Sequence, residues 1–316
     1  MLKKISLQLI IPANLHRQRL DKTLALLLPN YSRTQIQAWI SRGSVSVDQQ
    51  IISENRYKIA ENQVIHIEAN LLENEHWQAQ EIPLDIIFED DALLIINKPA
   101  GLIVHPGAGN PDHTLLNALL HHAPSLAELP RAGIVHRLDK DTAGLLIIAK
   151  TVNSYHALIE ALQMRKIHRI YRAIVKGVMT GGGKIDAPIG RHPKHRTQMA
   201  VHPQGKPAVT DYHVLKRFPM HTFIELKLES GRTHQIRVHM THIHHPLVGD
   251  PVYGKRLNSP GKLSPELMQA LQNFKRQALH ATRLEFSHPM TEAPLQFEVI
   301  LPKDMQDLLT LLERNN

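Results

Sequence analysis

Five consecutive apolar residues, Leu145 to Ala149, follow at once on a dense knot of charge, His136-Arg137-Leu138-Asp139-Lys140-Asp141-Thr142-Ala143-Gly144. An unbroken apolar run of that length, bounded by Gly144 and Lys150, reads as a strand covered on both faces. Any fold this chain adopts must therefore bury a sheet at that point and bring charge to its end. Ala132 to Val135 is apolar on the other flank, which predicts that Asp139 sits on a short turn between two strand-like segments, at the edge of a core. A carboxylate held there is costly unless a cation pairs with it. Arg137 and Lys140 are near in sequence, and a basic residue from elsewhere is an equally good partner. Flanking positive charge keeps such a group ionised at neutral pH, and an ionised, desolvated carboxylate suits nucleophilic or base chemistry. A purely structural ion pair with Arg137 would leave the same trace. Asp141 reads as the cap of the turn before Thr142.

The 316 residues are enough for about two domains. A formal net charge of +8 favours a polyanionic partner, nucleic acid or an anionic surface. There is no cysteine, which excludes disulfides, thiolate metal sites and a cysteine nucleophile and agrees with a reducing cytosol. No apolar stretch approaches the ~18 residues needed to span a bilayer, and the start lacks a secretory cleavage pattern, so a cytoplasmic protein with no membrane partner is expected.

Charge is unevenly placed. Residues 1–70 hold nine Lys/Arg against five Asp/Glu, whereas residues 71–97 hold seven acidic residues and no Lys or Arg. The acidic stretch 71–83, closed by Pro83, reads as a linker between a module at 1–70 and a larger domain at 84–316. In the module, Leu20, Leu24, Leu27 and Leu28 share a helical face, Pro29-Asn30 ends that helix, and Ser32-Arg33-Thr34-Gln35 has the form of a capping box for a second helix burying Ile36, Trp39 and Ile40. Gly43 stands where a C-cap belongs, and Val45 and Val47 alternate into a turn at Asp48-Gln49-Gln50. With Arg17, Arg19, Lys22, Arg33 and Arg42 around it, this is a small basic α/β unit. Beyond residue 84, strands are expected at 93–97, 145–149, 170–176, 209–215 and 222–229, and helices at 112–121 with Asp112 as cap, at 153–163 and at 233–243. Strands outnumber helices without strict βαβ alternation, which predicts an α+β fold around a large, mostly antiparallel mixed sheet with flanking helices.

Two further elements carry chemistry. In Arg169-Ile170-Tyr171-Arg172 a strand places Tyr171 and Arg172 on opposite faces. An inward Tyr171 suits stacking on a flat base and moving a proton, although an ordinary half-buried tyrosine fits equally. In Gly231-Arg232-Thr233-His234-Gln235-Ile236-Arg237 a tight turn precedes a helix start bearing Arg232 and Arg237, a spot suited to a phosphate or a carboxylate. Residues 190–206 carry Arg191, Lys194, Arg196 and Lys206 with no acid, which reads as a mobile basic loop for backbone phosphates. His239, His242, His244 and His245 cluster, but without cysteine or a carboxylate at ligand spacing no metal site is expected. The loop 102–110 is glycine-rich yet lacks the spacing of a nucleotide-binding fingerprint.

Taken together, Asn97-Lys98-Pro99, Val104-His105-Pro106, the 136–144 run, Arg169-Ile170-Tyr171, Gly231 to Arg237, Gly249-Asp250-Pro251-Val252-Tyr253-Gly254 and Leu279-His280-Ala281 resemble the RluA-type pseudouridine synthases, in order, from about residue 85 to 300. The first fifty residues are similar to the αL RNA-binding module of a small-subunit ribosomal protein. The resemblance implies isomerisation of uridine to pseudouridine in large-subunit (23S) ribosomal RNA, in the stem-loop at the subunit interface, with naked RNA or an assembling pre-ribosomal subunit as partner and no cofactor. It implies that Asp139 attacks the nucleoside or abstracts a sugar proton, that Tyr171 stacks on the base and assists proton removal, that Arg237 pairs with Asp139, and that Arg137 fills the gap left by the flipped base. Arg232, Arg33, Arg42, Arg191 and Arg196 are the remaining candidate RNA contacts. A non-catalytic RNA-binding or assembly factor on the same fold is the alternative.

Overall fold

The computed structural model describes residues 3–28, 31, 33–71, 77–107, 109–195, 197–254 and 263–315. The chain forms two compact units, Met1–Gln78 and Ala79–Asn316, the division falling inside the acidic stretch 71–83.

The first unit holds β1 (Lys3–Ile10), α1 (Leu20–Leu27), α2 (Arg33–Ser41), β2 (Val45–Val47), β3 (Gln50–Ile51) and β4 (Val64–Leu71). Its sheet runs β1-β4-β2-β3, all antiparallel. Leu20 and Leu24 of α1 and Ile36, Trp39 and Ile40 of α2 pack on Val45, Val47, Ile65 and Ile67. Asp48 and Gln49 both take positive φ, the two-residue geometry that joins right-twisted strands. The capping box predicted to begin at Ser32 lies outside the described residues. Asp21, wholly buried, binds the unit together. Arg19 and Arg33 each donate two hydrogen bonds to its carboxylate and Gln37 a fifth, at 2.6–3.2 Å.

The second unit holds β5 (Ile86–Glu89), β6 (Leu93–Lys98), α3 (Leu115–His122), β7 (Ala143–Ala149), α4 (Val152–Gln163), β8 (His168–Lys176), β9 (Gly183–Asp186), β10 (Ile189–Arg191), β11 (Met199–Val201), β12 (Val209–Arg217), β13 (His221–Leu228), α5 (Gln235–His242), α6 (Pro265–Asn273), β14 (Leu279–Ser287), β15 (Pro294–Glu298) and α7 (Lys303–Arg314). Among the described residues nine strands form one sheet, ordered β5-β6-β7-β14-β8-β13-β12-β9 with β15 added on β14. Neighbours pair antiparallel except β7 and β14, which run parallel. This is the α+β mixed sheet that the strand pattern predicts. β7 is buried at every position because it lies mid-sheet with cover on both faces. On one face Leu93, Ile95, Leu145 and Ile147 meet Leu158 of α4 and Phe286. Farther along, Ile174, Phe218 and Val248 meet Leu267 of α6 and Met305, Leu308 and Leu312 of α7, apolar at helical spacing. Among the described residues no helix is long and apolar enough to cross a membrane.

Four local expectations are corrected. Helix α3 starts at Leu115 rather than 112. Thr114 and Asn117 form its capping box, and Asp112 instead contacts the exposed His113 ring. The segment before Asp139 is not a strand. Pro130–Gly133 is a tight turn, left-handed at Arg131 (φ 55°) and Ala132 (φ 51°), and Ile134 alone bridges to Ile148. Gly133 is pressed so close to β7 that a Cβ would lie 1.9 Å from the Ala149 carbonyl oxygen. Helix α5 begins at Gln235, because His234 adopts a left-handed conformation (φ 57°) that no helical turn accepts. Finally, the stretch expected to be loop includes two short paired strands: β10 and β11 pair Ile189–Arg191 with Val201–Met199.

Burial raises the Asp21 carboxyl, but the hydrogen bonds from Arg33, Gln37 and Arg19 outweigh it and hold the group down to about 2 from 3.8. A folded value below the unfolded one means that this contribution to stability is complete above 3.8 and lost as pH falls toward 2. Asp21→Ala should lower the unfolding free energy of the first unit by roughly 2 kcal/mol at neutral pH, read by urea titration of the fluorescence of Trp39. An unchanged midpoint would remove Asp21 from this role.

Candidate active site

The loop from His136 to Thr142 delivers Asp139 to the N-terminal end of β7. Its shape is set from four sides. The Thr142 amide donates to the Asp139 carbonyl at 3.1 Å, so this carbonyl, and not an Asp141 side-chain cap, closes the turn. Thr142 is buried and accepts from the buried Gln277 at 3.0 Å. Arg276 donates to the Asp141 carbonyl at 3.3 Å. Lys98, at the end of β6 and 1% exposed, donates to the carbonyls of Pro99 (2.7 Å), Leu102 (2.9 Å) and Lys140 (2.9 Å). All three ammonium hydrogens are thus used on backbone. Burial pushes Lys98 down to about 7, with Asp141 and Asp139 opposing the shift. Directly after the loop, Gly144 (φ 117°) lets β14 approach so closely that a Cβ would meet the Ala281 carbonyl oxygen at 2.2 Å.

Asp139 is 18% exposed, so a ligand can reach it. Its Oδ2 accepts from Arg237 Nη1 at 2.9 Å. Arg237 is itself clamped: Nε donates to Asp250 Oδ2 at 2.7 Å and Nη2 to Asp250 Oδ1 at 3.0 Å. Asp250 Oδ1 also accepts the amides of Val252 and Tyr253, both at 2.9 Å. Burial raises Asp250, and Arg237 more than reverses it. The guanidinium in turn is held above its ordinary range by the two carboxylates despite its burial. Because Asp250 takes a bidentate pair, Asp139 receives one N–H only, and its Oδ1 is uncommitted. His234 Nε2 stands 3.9 Å from that oxygen, beyond hydrogen-bond range. The His234 ring is fixed through Nδ1 to the Tyr253 hydroxyl (2.8 Å), which also accepts the Met199 amide of β11 (2.9 Å). When the Tyr253 hydroxyl gives its own hydrogen to Nδ1, His234 presents Nε2–H on the side of Asp139. Burial lowers the His234 imidazole, against the pull of Asp139.

Tyr171 projects from β8, buried at 5% exposure. Burial first, and the charge of Asp139 to a smaller degree, raise its hydroxyl, with Arg169 opposing. Arg172 faces the other way, against Glu225 and Glu298, as strand alternation requires. Asp139, Arg237 and Tyr171 therefore come together. Arg137 is exposed beside them, its charge reaching His105 and His234. Arg232 is exposed with Nε tied to the Pro207 carbonyl at 3.1 Å. Its amide meets the Gln235 side chain at 2.9 Å, so a side chain and not an anion satisfies that turn. Arg33 and Arg42 lie in the first unit, Arg33 engaged with Asp21 and Arg42 exposed. Arg191 is exposed in β10, and Arg196 lies outside the described residues. Of the clustered histidines, His239 is structural: its ring nitrogens contact Thr210 Oγ1 (2.8 Å) and the Ala187 carbonyl (2.9 Å).

A model of the RNA pseudouridylate synthase family matches residues 92–242, and a model of the S4 domain matches residues 18–65. Over 313 residues the chain is 50% identical to ribosomal large subunit pseudouridine synthase D of Yersinia pestis, covering 99% of this chain and 96% of that one. The chain belongs to the RNA pseudouridylate synthase family. The protein of the same name from Escherichia coli K12 is 49% identical over 312 residues, 99% of this chain and 96% of that one. Among solved structures, human RNA pseudouridylate synthase domain containing 4 is 28% identical with a TM-score of 0.57, over 72% of this chain and 92% of that one. The pseudouridine synthase is thus an RNA-modifying isomerase with an S4 domain at its N-terminus, and its substrate is RNA.

Asp139 and Tyr171 stand out in the sequence by their settings, whereas Asp250, Tyr253, His234 and Lys98 have no role assigned there, although each stands in one of the motifs of the resemblance. For Lys98 a signal existed: a lysine ending an apolar strand and followed by proline has its ammonium at a buried chain reversal. Lys98→Met should leave three carbonyls without a donor, costing on the order of 2–4 kcal/mol and lowering turnover together with the thermal midpoint. A variant as stable and active as the parent would show that the loop is held without it.

Proposed function

We propose that this synthase converts uridine to pseudouridine in large-subunit ribosomal RNA, in the stem-loop at the subunit interface, as naked RNA or within an assembling subunit, in the cytoplasm. The observation that carries the chemistry is the asymmetry of Asp139: one oxygen is held by Arg237, and the other, 3.9 Å from His234 Nε2, accepts no hydrogen bond. A target uridine flipped from its stack would present its sugar and glycosidic bond to Oδ1. That oxygen attacks the nucleoside or removes a sugar proton. The C1′–N1 bond breaks, the uracil turns, a C1′–C5 bond forms, and the proton on C5 leaves while N1 regains one. Reactant and product are isomers, so the balance needs no oxidant, reductant or cofactor.

Arg237 orients the carboxylate and Asp250 orients Arg237. Tyr171 offers a flat face for the uracil, and its hydroxyl is in place to assist loss of the C5 proton. Arg137, exposed beside the cleft, fills the position of the evicted base. Arg42, Arg191 and Arg232 lie at the surface as phosphate contacts, and Arg33 shares itself between Asp21 and RNA. What supports the large-subunit target is identity near 50% over almost the whole chain to synthases named for that RNA.

Asp139→Asn keeps the shape and removes the charge. It should abolish pseudouridine formation on a large-subunit transcript while RNA affinity stays within a few-fold; turnover that persists reassigns the reacting group. Arg42 makes no side-chain ion pair among the described residues, so Arg42→Ala should weaken binding and reduce the slope of log affinity against log salt by about one. A slope equal to the parent's would take Arg42 off the RNA path. Mapping pseudouridines in ribosomal RNA with and without the protein identifies the target.

A further inference from the structure

Among the described residues three cationic side chains are buried: Lys98, Arg169 and Arg237. Lys98 spends its hydrogens on three carbonyls, and Arg237 is shared by two carboxylates. Arg169, 8% exposed, has neither. Among the described residues its guanidinium makes no hydrogen bond and no ion pair, and its Nε is wholly shielded from solvent without a partner. An uncompensated buried charge is among the costliest features a fold carries.

Its surroundings place it in the site. Arg169 precedes Tyr171 by two on β8, so the two side chains leave the same face, about 7 Å apart along the strand. The guanidinium lies over Gly231, where a Cβ would stand 2.6 Å from Nη1, so the loop that leads to Arg237 keeps this space free only with glycine. The titratable groups that face it offer no anion. His136 is neutral, kept low by burial and by Arg169 itself, with Nε2 already accepting the Ile147 amide. Burial keeps the Tyr171 hydroxyl protonated. No carboxylate among the described residues comes within ion-pair distance of it: Glu229 is engaged with Arg165 and Lys184, and Asp139 gives Oδ2 to Arg237 and does not reach Arg169.

We infer that Arg169 is an RNA-binding residue whose missing partner is a phosphodiester oxygen next to the flipped uridine. A guanidinium meets a phosphate by two parallel hydrogen bonds, and docking there would supply the one anion that this pocket lacks. The flipped nucleotide is then held at two points, its base on Tyr171 and its backbone on Arg169. This rests on the assignment of Asp139 and Tyr171 to the uridine site.

The test is Arg169→Met, which keeps the length and removes the charge, with Arg169→Lys beside it. Binding is measured on an unmodified large-subunit ribosomal RNA transcript over a salt series, and thermal midpoints are measured without RNA. Arg169→Met should bind roughly tenfold to a hundredfold more weakly, the range for one hydrogen bond to a charged group, with a salt slope lower by about one. Its thermal midpoint should equal or exceed the parent's, since a buried unpaired charge has been removed. Arg169→Lys should keep the slope and lose less affinity. Affinity and slope equal to the parent's in Arg169→Met overturn the inference, and so does a midpoint lower by several degrees, which would mean a structural partner. If the parent itself forms no pseudouridine on the transcript, the assignment of the site fails instead, and the two failures are told apart.

Discussion

The bidentate grip of Asp250 on Arg237 decides what Asp139 can do. A guanidinium has five N–H groups in a rigid fork, and Asp250 takes the Nε and Nη2 edge. What remains for Asp139 is a single bond from Nη1. Were Asp250 absent, the same arginine would be free to turn and bind Asp139 through both oxygens, and the oxygen proposed to react would be lost to a strong ion pair. Two carboxylates around one cation leave an excess of negative charge in a mostly dry place. That arrangement is poor as a device for stability, and its use is orientation.

The sheet makes the grip possible. Asp139 and Arg237 are 98 positions apart, and they meet because β7 is pinned mid-sheet between β6 and β14 while α5 is anchored by Gln235 to Val209 and Thr210 of β12. The loop at 136–142 has no regular structure of its own, so its geometry is imported. Lys98 brings the end of β6 to it, Gln277 and Arg276 bring the approach to β14, and Gly144 permits the close strand contact that sets its exit. Met199, through Tyr253, joins the β10–β11 hairpin to the same centre. Tyr253 also lays its ring beneath Arg237, 5.0 Å from the guanidinium carbon.

Periodicity made the regular elements legible in the sequence. Leu145 to Ala149 announced an interior strand because nothing polar interrupts it, and the 3.6-residue spacing of Tyr155, Leu158 and Leu162 announced α4. Asp139 was legible as a charge adjoining that strand. Its partner was legible only through the resemblance, since no local rule selects Arg237 over Arg137 or Lys140. Asp250 was less visible still, because its meaning lies in a contact with a residue thirteen positions away and with the two amides that follow it. Local signals also misled. Asp112 resembles a helix cap, yet Thr114 wins because its hydroxyl and Asn117 satisfy each other's ends of the first turn. Thr233 resembles a helix start, yet the left-handed turn at His234 delays the helix to Gln235 and so aims Arg237 at Asp139. The basic stretch 190–206 looked like loop because three-residue strands are too short for alternation to register.

Three buried or half-buried carboxylates differ in how far their oxygens are committed, and that difference sets the acid proposed to react apart from the two that hold the fold. Asp21 accepts five hydrogen bonds from Arg19, Arg33 and Gln37 and has no exposure. Asp250 accepts four, from Arg237 and two amides, and is equally closed. Each has both oxygens committed, so any reaction would first have to break what holds the acid in place. Asp139 accepts one bond, keeps some exposure and has one oxygen unspent. Its desolvation is therefore offset by a partner that does not saturate it, and the backbone holding its loop is stabilised by Lys98 and Gln277 rather than by the carboxylate itself. A side chain relieved of structural duty in this way is free to form a new bond without the site coming apart, which is the physical condition for using a buried aspartate as a reagent.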